Sequence, residues 1–354
     1  MSAKPIQIVS LPGDGIGPEV CREALRVLEL ACAHAGRKLD VVELPIGGVA
    51  LDAGDDALPE RTRIAAQKAD AVLLGAVGLP KYDGQPGNRR PEKGLLDLRK
   101  ALGVYANLRP VRAIPALAGL SPLKADVLAG VDLIVVRELL SDVYFGEPRG
   151  IDAERGFNTM SYTRHEVRRV AKVAFELARR RKKHVYSIDK ANVLETSQLW
   201  RATVIELQRE QYPDVKLEHQ YVDSCAMDLI KKPTRFDVIV TSNLFGDILT
   251  DEAAVLAGSI GLLPSASLGD GPGLYEPIHG SAPDIAGKGI ANPLGTIASV
   301  AMMLRSSLGL ANEAERVERA IDKVLADGHR TPDLGGRVTT AQMGEYVCRA
   351  LEAQ

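Results

Sequence analysis

Apolar and polar positions along this chain follow two rhythms. Residues 6–11, 71–74, 132–137, 184–189 and 236–241 are short runs rich in Val, Ile and Leu, the pattern of buried strands. Between them the spacing lengthens. Val20, Ala24, Val27, Leu28 and Ala31 recur at helical intervals within residues 18–35, and residues 62–69 and 163–182 also read as helices. A further helix begins near Asn243, straight after the 236–241 run. Alternation of this kind predicts a mostly parallel α/β sheet clad by helices. No repeat, heptad, low-complexity tract or Pro/Ser-rich linker interrupts it. No apolar run approaches the roughly 18 residues of a membrane span. Residues 1–11 lack the basic-then-apolar pattern of a secretory signal.

Composition narrows the class. At roughly 150 residues per domain, 354 residues suggest about two domains. A hydrophobic fraction of 45% excludes disorder. With 44 Lys and Arg against 46 Asp and Glu, the chain lacks the basic excess of a nucleic-acid binder. The cluster Arg179–Lys183 reads as a solvated helix end. Four cysteines without ligand or disulfide spacing fit a reduced, cytoplasmic setting, with no membrane or nucleic-acid partner.

The 33 glycines invite a nucleotide-loop reading, and both candidate loops fail it. In Leu11-Pro12-Gly13-Asp14-Gly15-Ile16-Gly17-Pro18-Glu19, a GxGxxG run from Gly13 needs glycine at 18. Pro18 stands there and removes a donor that a pyrophosphate would use. The stretch from Gly280 to Gly289 contains Gly-Lys, yet Ala282 and Gly289 occupy positions where a phosphate loop needs Gly and Ser/Thr. Ordinary tight turns remain open for both.

The carboxylates say more. Asp247 and Asp251 lie four apart just after a strand, so a helix stacks them on one face, where they repel unless a cation intervenes. With Asp223, they make an all-oxygen site reasonable for Mg²⁺ or Mn²⁺. Arg137 ends an apolar strand and points toward the crevice where α/β proteins bind ligands. Together with Arg99 and Arg109 it suggests a substrate with two carboxylates, because planar guanidinium forks suit them. Tyr144 and Lys190 each follow a strand closely and could move protons.

Taken in order, these segments resemble the metal-dependent β-decarboxylating dehydrogenases, most closely the 3-isopropylmalate dehydrogenase branch of the isocitrate/isopropylmalate dehydrogenase family. The resemblance runs through LPGDGIGPEV, PEKGLLDLRK, YANLRP, VRELLSDVYFGEPRG, SIDKANVLE, HQYVDSCAMDL, TSNLFGDILTDEA and YEPIHGSAPDIAGKGIANP. It implies an open mixed α/β sheet in two discontinuous domains, unlike a Rossmann fold. Residues 1–103 and 258–354 would form the NAD-binding side, and residues 104–257 an inserted metal, substrate and dimer domain.

The resemblance also implies residue roles. Arg99, Arg109 and Arg137 clamp the carboxylates of 3-isopropylmalate, Asp223, Asp247 and Asp251 hold Mg²⁺ or Mn²⁺, and Lys190 and Tyr144 carry protons. Lys190 and Asp223 reach the site from the other subunit of a homodimer. Glu92, Leu95 and Leu96, with Val193 from the partner, receive the isopropyl group. His279, Gly280, Ser281, Ala282, Pro283, Asp284, Ile285 and Asn292 line the cofactor, and the Asp284 carboxylate favours NAD over NADP by repelling a 2′-phosphate. Leu79 and Gly295 depart from the pattern of relatives. Activity on another 2-hydroxy diacid (D-malate, tartrate or homoisocitrate) and a catalytically silent regulatory subunit are the alternatives.

Overall fold

The structure, a computed structural model, describes residues 4–354; residues 1–3, which the reading of a missing signal included, lie outside it. Among the described residues twelve strands appear in chain order: β1 (Ile6–Gly13), β2 (Leu39–Glu43), β3 (Ala71–Ala76), β4 (Val104–Arg112), β5 (Asp132–Glu138), β6 (Gly150–Ile151), β7 (Gly156–Phe157), β8 (His184–Asp189), β9 (Lys216–Tyr221), β10 (Val238–Thr241), β11 (Pro264–Gly269) and β12 (Gly273–Pro277). Two compact units form. One holds the residues up to Val104 with Gly258–Gln354, the other Tyr105–Ala257.

In the first unit the strand order is β2-β1-β3-β12-β11. β1 pairs in parallel with β2 and β3, and β3 with β12, while β11 and β12 are antiparallel. Every residue of β3 is buried, as its unbroken apolar run requires. Helices Gly17–His34 and Leu294–Ser306 cover these strands, the first through the apolar stripe Val20, Ala24, Val27, Leu28 and Ala31, and helices Ala311–Ala326 and Thr340–Glu352 pack on those two helices in turn.

In the second unit the order is β4-β5-β10-β8-β9. Here β4 runs antiparallel to β5, and the remaining neighbours are parallel. The sheet is therefore mixed in both units. Helix Arg164–Arg179 packs on this sheet with Val167, Val170, Ala171, Ala174 and Phe175 fully buried, and a capping box of Thr163 and Glu166 starts it. β10 runs almost directly into helix Asn243–Ala257. β6 and β7 form a separate small hairpin. Among the described residues no helix is long and apolar enough to cross a membrane.

Candidate active site

The second unit gathers charge where β5 and β10 end. Helix Asn243–Ala257 presents Asp247 and Asp251 one turn apart. The cation their repulsion demands is an arginine. Arg109, on β4, places Nη2 3.6 Å from Asp247 Oδ1 and Nη1 3.7 Å from Asp251 Oδ1. Arg137, at the end of β5, pairs through Nη1 with Asp247 Oδ1. Arginines and aspartates interleave here, and the pairing offsets the mutual repulsion of two carboxylates one helical turn apart.

Burial sorts these groups. The Arg137 and Arg109 side chains are 3% and 8% exposed, whereas that of Asp251 is 64% exposed and open to a ligand. Tyr144 donates its hydroxyl to Asp247 Oδ2 at 2.6 Å. Burial, and then the bond to Asp247, push the phenol above its ordinary value, so at neutral pH it keeps a proton to give. Desolvation and the nearby Asp247 raise the Asp251 carboxyl, and Arg109 pulls it the other way.

Neutral side chains aim the arginines. Asn107 Oδ1 accepts from Arg109 Nε at 2.8 Å, and Thr250 Oγ1 accepts from Nη1 at 2.6 Å. Asn243 Oδ1 accepts from both Nε and Nη2 of Arg137. Gly246 permits this approach, since a Cβ there would lie 2.6 Å from Arg137 Cγ. The reading of the sequence did not single out Asn107, Asn243 or Thr250. Only Asn107 left a local signal: in a strand, positions 107 and 109 share a face.

Lys190 and Asp223 form a separate pair, with Nζ donating to Asp223 Oδ1 at 2.7 Å. That bond holds the exposed Asp223 carboxyl below its usual range. Val193 nearby in sequence is exposed. Among the described residues no three His, Cys, Asp or Glu side chains of one chain gather as a metal site. Asp247 and Asp251 fit a hard divalent cation by donor chemistry.

The first unit carries the remaining candidates. Arg99, on helix Pro91–Leu102, pairs with Glu276 of β12 at 2.8 Å. On the same helix Leu95 and Leu96 are half-buried and Glu92 is exposed. The segment from His279 to Ile285 packs on the glycine-rich turn after β1. A Cβ on Gly15 would sit 1.9 Å from the Ser281 carbonyl oxygen, and Ile16 N–H donates to that oxygen at 2.8 Å. The glycines of LPGDGIGPE thus admit a second loop, which explains why they match no phosphate-binding spacing. Ile16, Val20 and Ala291 cluster with Ala282 and Ile285, leaving Gly280, Pro283 and Asp284 exposed. The His279 ring is largely enclosed, which lowers its basicity, and its Nδ1 lies 2.9 Å from the Gly280 carbonyl. Asn292 is buried and engaged, donating to Asp333 Oδ2 and accepting from Leu294 N–H, both at 3.0 Å.

A buried arginine pair beside a helical carboxylate pair, on an α/β frame, defines a ligand-binding enzyme site suited to a carboxylate-bearing substrate. The isocitrate/isopropylmalate dehydrogenase family model matches residues 7–347, and the chain belongs to that family. It is 55% identical to 3-isopropylmalate dehydrogenase of Anaeromyxobacter dehalogenans, over 99% of this chain and 100% of that protein. It is also 55% identical to the enzyme of that name from Aquifex aeolicus, over 99% and 98%. Among solved structures, isocitrate dehydrogenase from Methylococcus capsulatus superposes with TM-score 0.86 at 35% identity, covering 98% of this chain and 99% of that one. A β-decarboxylating dehydrogenase from Thermococcus kodakarensis gives 0.81 at 37%, covering 98% and 96%. Membership implies a nicotinamide cofactor and a metal.

Proposed function

We propose that the chain catalyses NAD-dependent oxidative decarboxylation of (2R,3S)-3-isopropylmalate to 2-oxoisocaproate and CO₂, a step of leucine biosynthesis in the cytoplasm. The observation that carries this reading is the cluster of Arg109, Arg137, Asp247, Asp251 and Tyr144, with its basic, acidic and proton-donating groups in contact. Curated relatives of that name, 55% identical over nearly the full chain, support it.

Arg109 and Arg137 bind and orient the substrate carboxylates, and Arg99 is assigned to the same task from its PEKGLLDLRK block. Asp247 and Asp251, with Asp223 of a second copy, would hold Mg²⁺ or Mn²⁺. When bound, the cation would supply Lewis acidity and NAD a hydride acceptor for the oxidation at C2. The C2 hydroxyl proton is relayed to Lys190, also of the second copy, so the working unit is a homodimer. The C–C bond to the carboxylate then breaks, its electron pair stays on the substrate as an enol, and CO₂ leaves. Tyr144 returns its proton to the enol carbon. Leu95 and Leu96, with Val193 of the second copy, receive the isopropyl group, and Glu92 borders them. A third carboxylate would be desolvated there without a partner, which disfavours isocitrate. His279–Ile285 and Asn292 take the adenosine half of NAD, with Asp284 on the ribose hydroxyls.

The test is NADH production from a panel of 2-hydroxy diacids with added Mg²⁺ or Mn²⁺. The expected result is the highest kcat/KM for 3-isopropylmalate. A higher value for isocitrate, D-malate, tartrate or homoisocitrate overturns the assignment.

A further inference from the structure

Asp14 is 3% exposed and has no part in the chemistry above. Its carboxylate accepts three backbone N–H bonds, all at 2.8 Å: from Gly48 and Gly78 through Oδ2, and from Val49 through Oδ1. Its own N–H donates to the Ala76 carbonyl at 2.8 Å. One buried anion thereby gathers the turn after β1, the start of helix Gly48–Asp52 and the exit of β3. The packing leaves no slack. A Cβ on Gly47 would lie 2.6 Å from Asp14 Oδ2, and one on Gly48 would lie 2.5 Å from Leu79 Cδ1. Leu79 is thus a side chain seated on the clamp.

The clamp reaches two groups with assigned roles. Two residues after Asp14, Ile16 N–H holds the Ser281 carbonyl. At Gly78 (φ +129°), a Cβ would lie 3.2 Å from Glu92 Oε1 and 3.5 Å from Ser281 Oγ. Glu92, Ser281 and the Asp14 carboxylate therefore converge on one glycine. A carboxylate has only acceptors, and here three donors use them. An amide of the same shape must turn one N–H donor toward another.

We propose that Asp14 is a positioning residue that sets the cofactor segment His279–Ile285 against Glu92. The inference rests on the assignment of that segment to NAD. The experiment compares Asp14→Asn, Asp284→Ala and wild type by calorimetric titration of the dimer with NAD and by steady-state kinetics. Asp14→Asn is expected to raise the Kd and KM for NAD on the order of tenfold, with kcat changed by less than about threefold, as for one buried hydrogen bond lost from a binding interaction. Loss of kcat with unchanged KM for NAD, or equal rises in KM for NAD and 3-isopropylmalate, overturns it. If Asp284→Ala leaves NAD affinity unchanged, the cofactor assignment fails instead. Should Asp14→Asn not fold, Gly78→Ala strains the same junction and must give the same split. If neither folds, the clamp is a folding determinant and the proposal is overturned.

Discussion

The amide oxygen of Asn243 accepts from two nitrogens of Arg137, Nε at 3.0 Å and Nη2 at 2.7 Å, so one neutral side chain fixes the plane of the guanidinium. Asn243 is itself held, since its backbone N–H donates to Tyr162 Oη at 2.9 Å and its Nδ2 to the Ser141 carbonyl at 3.1 Å. Asn243→Ala frees the fork. KM for 3-isopropylmalate should rise about tenfold, with KM for NAD unchanged. An unchanged substrate KM would show that Arg137 needs no such guide.

Tyr144→Phe removes the hydroxyl bound to Asp247 and nothing else of the ring. If Tyr144 returns the final proton, kcat falls on the order of 10²- to 10³-fold while folding is preserved. Because burial raises the phenol, its protonated form persists above the ordinary tyrosine value, so this group causes no alkaline loss of rate between pH 7 and 9. Wild-type turnover in the variant removes Tyr144 from the mechanism.

Lys190 and Asp247 are assigned to one active site but to different subunits of it. Lys190→Ala and Asp247→Asn homodimers should each be nearly inactive. Unfolded together and refolded as a mixture, they form hybrid dimers in which one site has both native residues, restoring about a quarter of wild-type activity at equal proportions. No recovery on mixing places both residues in a single chain's site.

Asp284 is exposed at the end of the loop that packs on Gly15. Its replacement by Ala should narrow the preference for NAD over NADP by about tenfold, the size of one lost charge contact at a partly solvated site. The ratio of kcat/KM for the two cofactors reads this directly.

Glu138 follows Arg137 and is fully buried. It accepts from the N–H groups of Leu140 and Ser141 at 3.0 Å and from Tyr162 Oη at 3.2 Å. Burial pushes its carboxyl from 4.5 to about 7, against the pull of the two N–H groups and Arg169. The folded state thus binds this proton more tightly than the unfolded chain. Its stabilising contribution, on the order of 3 kcal/mol, is complete below pH 4.5 and lost as pH rises through about 7. Glu138→Gln should therefore gain stability relative to wild type between pH 5 and 8, measured by urea unfolding. A pH-independent difference would contradict the buried, shifted carboxyl.

The α/β alternation was legible because strands buried on both faces leave unbroken apolar runs; residues 184–189 coincide with β8, and the 18–35 helix with Gly17–His34. Strand direction was not legible. β4 and β11 break the parallel pattern, and a buried run looks the same in either orientation. The stacking of Asp247 and Asp251 followed from local spacing alone. What neutralises them did not, since Arg137 meets Asp247 across 110 residues and Arg109 reaches both aspartates from a different strand. Such pairings are set by sheet topology, which one sequence does not spell out.

Asp247 is matched to Arg137, and Asp223 to Lys190, by the protein itself. On the proposed roles, a substrate carboxylate at Arg137 and a dication at Asp247 would each compete with the Arg137–Asp247 pair, so each ligand would loosen the contact that occupies the other's group. Saturation with one should then tighten the other by the same factor, which would make neither affinity a property of the protein alone.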